Sequence, residues 1–148
     1  MYLDVVYKVR GYITLGDKLW TALREGDLDE TVRLYNVALA GVPYADFTKQ
    51  DEYFYCALFL MLLRGASIEV CGEVPTNKGR SDVVILLEER VIVLEFKLAR
   101  KKSEIARLRR EGMKQIEVKG YVKPYDEDHR AVTSAVVIVD GKEHEASL

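Results

Sequence analysis

Two charged residues stand at the end of a strongly apolar segment of this 148-residue chain. Glu95 and Lys97 follow the apolar run 91–94. Because side chains alternate along a strand, both would point to one face while Phe96 points to the other. A buried charge needs a partner, solvent or a bound ion. The pattern therefore has two interpretations: a strand that emerges into water with a Glu95–Lys97 ion pair, or a site that binds a cation.

Asp82 begins the preceding apolar segment and favours the second interpretation. The short connection at 88–90 predicts a hairpin, and counting outward from Glu89 pairs position 82 with position 96. Asp82 is then within about one residue of Glu95. Two converging carboxylates repel unless a cation lies between them, and Mg²⁺ prefers such oxygen ligands. With Lys97 beside the ion, these residues predict a phosphodiesterase centre.

Capping residues and apolar periodicity predict the elements that must position this site. Helices are expected at 17–24 with Asp17 as cap, at 28–41, at 48–64 with Thr48 as cap, and from Ser103 onward as a long basic helix. Strands are expected at 68–74, 82–87, 91–97 and 133–139. The second and third strands are apolar at consecutive positions, so helices should cover both faces of the sheet. The sequence thus predicts an α/β fold with one mixed sheet flanked by helices.

Several of these segments resemble the PD-(D/E)XK nuclease superfamily. They are Gly-Arg-Ser-Asp at 79–82, Val-Ile-Val-Leu-Glu-Phe-Lys at 91–97, Gln-Ile at 115–116, and Tyr121. The similarity extends over roughly residues 20–140. It is to the nuclease-like domains at the C-termini of predicted AAA-type ATPases, and the spacing from Asp82 to Glu95 also resembles archaeal Holliday-junction resolvases. Ser81 stands where the motif has its literal proline.

The resemblance implies a restriction-endonuclease-like core of helix, three strands, helix and strand. The whole chain, 1–148, would form one domain, with a helical extension at 1–47 and a catalytic core at 48–140. Asp82 and Glu95 would be metal ligands together with the backbone carbonyl of Phe96, and Lys97 would orient or activate water. The implied cofactor is Mg²⁺, with Mn²⁺ as a substitute.

Four further residues match positions near the active site of that superfamily. Glu52 would be the acid of the first core helix, although an acid is favourable in any first helical turn. Glu73 would be an auxiliary metal-site acid or an ordinary acid at a strand edge. Gln115 would face the site from the basic helix or be a solvated glutamine, and Tyr121 matches the pattern but could simply pack.

A strongly basic segment contrasts with the overall net charge of −2. Between residues 97 and 119, nine basic residues outnumber three acidic ones. Arg107 and Glu111 fit a solvated helix face, but three acids cannot neutralise nine bases. We therefore predict contacts with a nucleic-acid backbone. The predicted nucleic-acid-binding residues are Arg80, Arg100, Lys101, Lys102, Arg107, Arg109, Arg110, Lys114 and Tyr121.

Other classes of protein fit the sequence poorly. The longest apolar run, 53–63, is far shorter than a membrane span, and the N-terminus lacks a signal-peptide pattern, so a cytoplasmic protein is expected. Cys56 and Cys71 have no CxxC spacing, which argues against a zinc site or a disulfide. The chain also has no GxxxxGK[ST] motif, so it is not itself a P-loop ATPase.

The leading hypothesis is a Mg²⁺-dependent nuclease that hydrolyses phosphodiester bonds in DNA, with RNA left open as a substrate. The alternative is a catalytically degenerate nucleic-acid-binding or regulatory domain related to the ATPase-associated proteins. An interaction module built on the N-terminal helices ranks last, because it leaves the buried charges unexplained. The apolar surfaces of the helices before Pro43 also predict a homodimer.

Overall fold

The computed structural model describes residues 14–76 and 79–148, which form four α-helices and a five-stranded sheet. The helices are α1 Leu15–Arg24, α2 Leu28–Leu39, α3 Glu52–Gly65 and α4 Ile105–Val118. The strands are β1 Val70–Thr76, β2 Gly79–Leu86, β3 Arg90–Ala99, β4 Ala131–Asp140 and β5 Glu145–Ser147. The predicted α/β fold with an N-terminal helical part is confirmed.

The sheet is mixed and has the order β1-β2-β3-β4-β5. β3 is its central strand, antiparallel to β2 and parallel to β4, and its pairing with β4 runs from Arg90–Ala131 to Ala99–Asp140. Parallel neighbours require a crossover connection, and α4 lies within this one. The strand that carries Glu95 and Lys97 is therefore covered by strands on both sides.

Alternate side chains of β3 enter two different cores. Leu94 and Phe96 lie in the larger core with residues of α1, α2 and α3, whereas Val93 lies in the smaller core beneath α4. α4 packs very close to the sheet at Gly112, where an added Cβ would come within 2.7 Å of a methyl group of Val136. The predicted covering of both faces of this strand is confirmed.

The predicted caps of the first and third helical segments are wrong. Thr14 caps α1, and Asp17 is instead the third residue of that helix. The side chains of Thr14 and Asp17 each accept a hydrogen bond from the backbone amide of the other, which forms a capping box. α3 is capped by Asp51, whose carboxylate accepts from the Phe54 amide at 2.9 Å. Thr48 stays outside the helix, because the neighbouring Gln50 amide donates to two backbone carbonyls of the preceding segment.

Ser103 is not the cap of the basic helix either. Residues Lys102–Glu104 form a short 3₁₀ turn, and α4 begins at Ile105. The Glu104 carboxylate instead accepts from the backbone amides of Arg100 and Lys101, at 3.1 and 2.8 Å. The connection between β3 and α4 is thus held by an acid rather than by a hydroxyl.

The strands are longer than predicted at several ends. β2 begins at Gly79 rather than at Asp82, β3 continues to Ala99, and β5 was not predicted. Residues 1–13 of the predicted extension lie outside the described residues. Within the described ranges, no helix is long and apolar enough to cross a membrane.

Candidate active site

Asp82 lies where the pairing between β2 and β3 ends. The final residue pair on that side is Val83 with Leu94, one residue away from the register that the sequence predicted. The Asp82 carboxylate reaches across to β3 and accepts a hydrogen bond from the Phe96 amide, with Oδ2 and N 2.8 Å apart. The sheet therefore holds Asp82 beside the strand that carries Glu95.

Glu95 is buried in the sheet, and only 3% of its side chain is exposed. Its Oε2 accepts no hydrogen bond from a donor of the described residues, and the carboxyl lies close enough to that of Asp82 to form a hydrogen bond with it when one of the two is protonated. Burial, with the negative charge of Asp82 as a second cause, raises the pKa of Glu95 to about 8. Burial also raises the pKa of Asp82, against the opposing effect of the bond from Phe96. Glu95 is not at a strand end that emerges into water, and each of the two acids makes the ionisation of the other less favourable.

The Lys97 ammonium is held by two neighbours. Its Nζ lies 3.7 Å from Glu95 Oε1 and donates to Gln115 Oε1 at 2.7 Å. Gln115 Nε2 in turn lies 3.0 Å from the Tyr121 hydroxyl, to which it donates. Gln115 thus faces Lys97 from α4, which favours the predicted site-facing role over a solvated glutamine.

Tyr121 is 2% exposed and packs in the smaller core with Ile116 and Val136. A side chain so buried cannot stack on or bind a nucleic acid from the surface. The burial of Tyr121 speaks against the predicted nucleic-acid contact, and the structure joins this residue to Gln115.

Glu52 stands at the start of α3, close to the end of β3. Its Oε2 accepts from the Leu98 amide at 3.2 Å. Desolvation raises the pKa of Glu52, Lys97 lowers it, and Asp82 raises it, so the carboxyl senses both charges of the site. The acid lies near Lys97 and Asp82 as the resemblance implied, while it also occupies a favourable first helical turn.

Cys56 was not predicted to lie near these acids. It is a buried free thiol one helical turn after Glu52. Burial raises the pKa of Cys56 to about 12, and the charges of Asp82, Glu52 and Glu95 contribute to the increase. The i,i+4 spacing from Glu52 was the available signal, because residues four apart share a helix face.

Glu73 lies in β1 between two residues that pair with β2 on either side of Asp82. Gly72 pairs with Val83 and Val74 with Ser81, while Glu73 itself has a positive φ of 50°. Such a backbone costs about 1–3 kcal/mol in a residue other than glycine. The Glu73 carboxylate is exposed and raises the pKa of Asp82 through its charge. It therefore neighbours Asp82, although it stands in solvent.

The basic residues have different environments, and two of them, Arg107 and Arg109, already bind other groups of the protein. Arg107 bridges Glu104 and Glu111 at 3.2 and 2.8 Å, which agrees with a solvated, neutralised face. Arg109 donates to the backbone carbonyl of Leu148, and its Nε is buried without a hydrogen-bond partner in the described part of the chain. Both guanidinium groups thus already have partners within the protein, and their contact with nucleic acid stays a prediction.

The remaining cations are exposed. The side chain of Arg80 lies outside what the structure describes. The other five predicted cations are exposed and make no ion pair with a described acid. They are Arg100, Lys101, Lys102, Arg110 and Lys114. The first three follow β3 directly, beginning three residues beyond Lys97. The site consequently combines two carboxyls, one held ammonium and a nearby cluster of exposed cations.

A model of the PD-(D/E)XK nuclease superfamily matches residues 50–146 of the chain. The match spans about two thirds of the 148 residues and contains every candidate site residue named above. No curated protein matches the sequence.

Proposed function

Because this chain belongs to the PD-(D/E)XK nuclease superfamily, we propose that it is a divalent-metal-dependent nuclease that hydrolyses phosphodiester bonds in DNA. One observation carries the proposal: the buried carboxyl of Glu95 lies against the carboxyl of Asp82 and beside the Lys97 ammonium, so three ionisable groups meet in the sheet. A chain that needed only a folded core would gain stability by replacing such a pair with apolar residues.

The residues fit a hard divalent cation such as Mg²⁺ or Mn²⁺. Asp82 and Glu95 offer carboxylate oxygens, the donor type that Mg²⁺ prefers, and the backbone carbonyl of Phe96 is the third proposed ligand. When both carboxylates are ionised they repel each other, and a cation bound between them would relieve that repulsion. When bound, the metal would polarise the phosphoryl oxygens and lower the pKa of the attacking water.

Lys97 supplies the positive charge that the two acids lack. Its ammonium has three N–H donors, of which one binds Gln115 and another is turned toward Glu95. The Lys97 side chain is 17% exposed, which leaves it open to a substrate phosphate or an attacking water. In hydrolysis the attacking water loses a proton as its oxygen bonds to phosphorus, the bond from phosphorus to the leaving oxygen breaks, and the leaving oxygen takes up a proton.

The exposed cations after β3 are the proposed surface for the nucleic-acid backbone. Arg100, Lys101 and Lys102 lie close along the chain to the catalytic strand, and Arg110 and Lys114 add charge on α4. Contacts of this kind carry no sequence information, so we propose binding that is independent of sequence.

We also propose a homodimer, with Val37 of α2 and Met61 of α3 among the exposed apolar side chains available to it.

A non-catalytic nucleic-acid-binding domain is the second candidate function. One observation favours it: among residues 14–76 and 79–148, no group of three or more His, Cys, Asp and Glu side chains is arranged to hold a metal ion. A metal ion at the proposed site would therefore have to be held by only two carboxylates, a backbone carbonyl and water. A domain that binds nucleic acid without cleaving it would still need the exposed cations for binding.

Incubation with linear, circular and four-way-junction DNA tests the proposal. Cleavage is expected with Mg²⁺ or Mn²⁺ and not with chelator, and cleavage of the circular substrate would identify an endonuclease. Asp82→Asn protein purified in parallel controls for contaminating nucleases. DNA binding without cleavage under every condition would favour the non-catalytic candidate, and neither binding nor cleavage would contradict both.

A further inference from the structure

We propose that Tyr121 is a positioning residue for catalysis: its buried hydroxyl anchors the Gln115 amide, which in turn holds the Lys97 ammonium toward the substrate. The inference rests on the proposed nuclease function of the Lys97 site. It assigns Tyr121 a role inside the protein, in place of a contact with nucleic acid.

The chain of hydrogen bonds has a definite direction. An ammonium can only donate, so Lys97 Nζ requires an acceptor, and Gln115 Oε1 meets it at 2.7 Å. The opposite end of the same amide must then be Nε2, a donor, and it lies 3.0 Å from the Tyr121 hydroxyl oxygen. Each group thus forms a hydrogen bond with the next, and this series of hydrogen bonds ends at Tyr121 in the core.

Lys97 needs such support because its side chain is long and flexible. A lysine loses substantial rotamer entropy when it is fixed, and Glu95 Oε1, 3.7 Å away, competes for the ammonium. The bond to Gln115 draws the ammonium toward α4 and leaves an N–H for the substrate. Gln115 can only do this when its own side chain is fixed.

Tyr121 is well suited to fix it, because its ring is packed in the core and only 2% exposed. The ring is buried beneath α4 with Ile116 and Val136, and its backbone amide donates to the Ile116 carbonyl at 3.2 Å. The start of β2 closes over the hydroxyl, since a Cβ added at Gly79 would lie 3.5 Å from it. The hydroxyl is therefore an anchor that nucleic acid does not reach.

The test is a double-mutant cycle on DNA cleavage with Mg²⁺. Tyr121→Phe should lower kcat by about tenfold or less, the scale of one hydrogen bond, and leave KM and DNA affinity unchanged. In a Gln115→Met background, adding Tyr121→Phe should cost nothing further, because its effect passes through Gln115. Tyr125→Phe is the matched control, since Tyr125 packs against the same core.

Three results would overturn the inference. They are an equal loss in both backgrounds, a loss that appears in KM or DNA affinity, and an unchanged kcat in Tyr121→Phe. A readout without turnover is the NMR signal of the Gln115 side-chain amide. It should give cross-relaxation to the Tyr121 ring, and in Tyr121→Phe its protons should exchange faster with water. Wild-type protein that cleaves no DNA would contradict the proposed function, whereas the cycle and the amide signal test the anchor itself.

Discussion

The Asp82 carboxylate accepts a hydrogen bond from the Phe96 amide, with 2.8 Å between Oδ2 and N. This bond joins β2 to β3 just beyond Val83–Leu94, the last residue pair of their ladder at that end. Asp82 therefore does two things at once: it satisfies a backbone donor of β3 and it presents a carboxyl next to Glu95. A substitution at this position acts on both the fold and the chemistry.

Asp82→Ala and Asp82→Asn should consequently differ in stability. Both remove one acid of the Asp82–Glu95 pair, but only asparagine keeps an oxygen for the Phe96 amide. A backbone N–H left without its acceptor costs about 1–3 kcal/mol. Urea unfolding in chelator should give a lower unfolding free energy for the alanine variant than for the asparagine variant. Equal stability of the two would show that the hydrogen bond adds nothing.

The metal-free protein should lose stability as the pH rises from about 5 to 8. The pKa of Glu95 is about 8 in the folded protein, against an ordinary value of 4.5. Over this interval the unfolded chain has released a proton that the folded protein still holds, so the unfolding free energy falls and stays low above pH 8. Glu95→Gln should remove that decline. Thermal unfolding in chelator across this pH range measures it.

Glu88→Gln provides the control for this experiment, because Glu88 is an exposed acid near the β2–β3 turn. It should follow the wild-type pH profile. The account of Glu95 would be wrong if Glu95→Gln kept the same pH dependence as the wild-type protein.

The proximity of Asp82, Glu95 and Lys97 was predictable from the sequence, and the reason is geometric. Strand alternation puts Glu95 and Lys97 on one face, and a three-residue connection confines the hairpin register to within about one residue. The observed register, with Val83 opposite Leu94, differs by one residue from the predicted one. Runs of consecutive apolar residues likewise indicated a strand covered on both faces.

Features that depend on tertiary contacts were not predictable. Thr48 is a good capping residue, but the bonds of Gln50 to the preceding backbone hold that segment outside α3. Charge counting cannot tell that Arg109 turns toward the Leu148 carbonyl while Arg100 stays exposed. The burial of Tyr121 depends on how the chain turns after α4, which no local pattern encodes.

Gly112→Ala should destabilise the protein by about 1–3 kcal/mol, as overpacking of a tight core does. The added Cβ would come within 2.7 Å of Val136, so α4 and β4 must move apart. Gly65→Ala is the matched helical control, since a Cβ there meets nothing within 4 Å. That variant should be neutral or more stable by up to about 1 kcal/mol. Denaturant unfolding compares the two, and an unaffected Gly112→Ala would contradict the close approach.

Replacing Arg100, Lys101 and Lys102 together with serine should weaken DNA binding for every sequence alike. The slope of log affinity against log salt should become shallower by ~0.9 for each phosphate of duplex DNA that the variant no longer neutralises. The fold should survive, because exposed charges contribute little to stability. Binding isotherms in Ca²⁺ over a range of salt concentrations measure the effect.

Arg107→Ser controls for a general change in charge, because the Arg107 guanidinium is already paired with two glutamates. It should leave affinity and slope nearly unchanged. If the triple variant behaved like Arg107→Ser, nucleic acid would have to approach from another face.

Asp82, Glu95 and Lys97 are proposed to form a metal-dependent nuclease centre, and the rate of DNA cleavage in Mn²⁺ tests this most directly. We predict that Glu95→Gln, Asp82→Asn and Lys97→Met each reduce the rate by at least about 10²-fold, the scale of removing one preorganised electrostatic group, while their thermal unfolding shows an intact fold. Chelator should abolish wild-type cleavage. A folded Glu95→Gln variant that cleaves DNA at the wild-type rate would contradict the account.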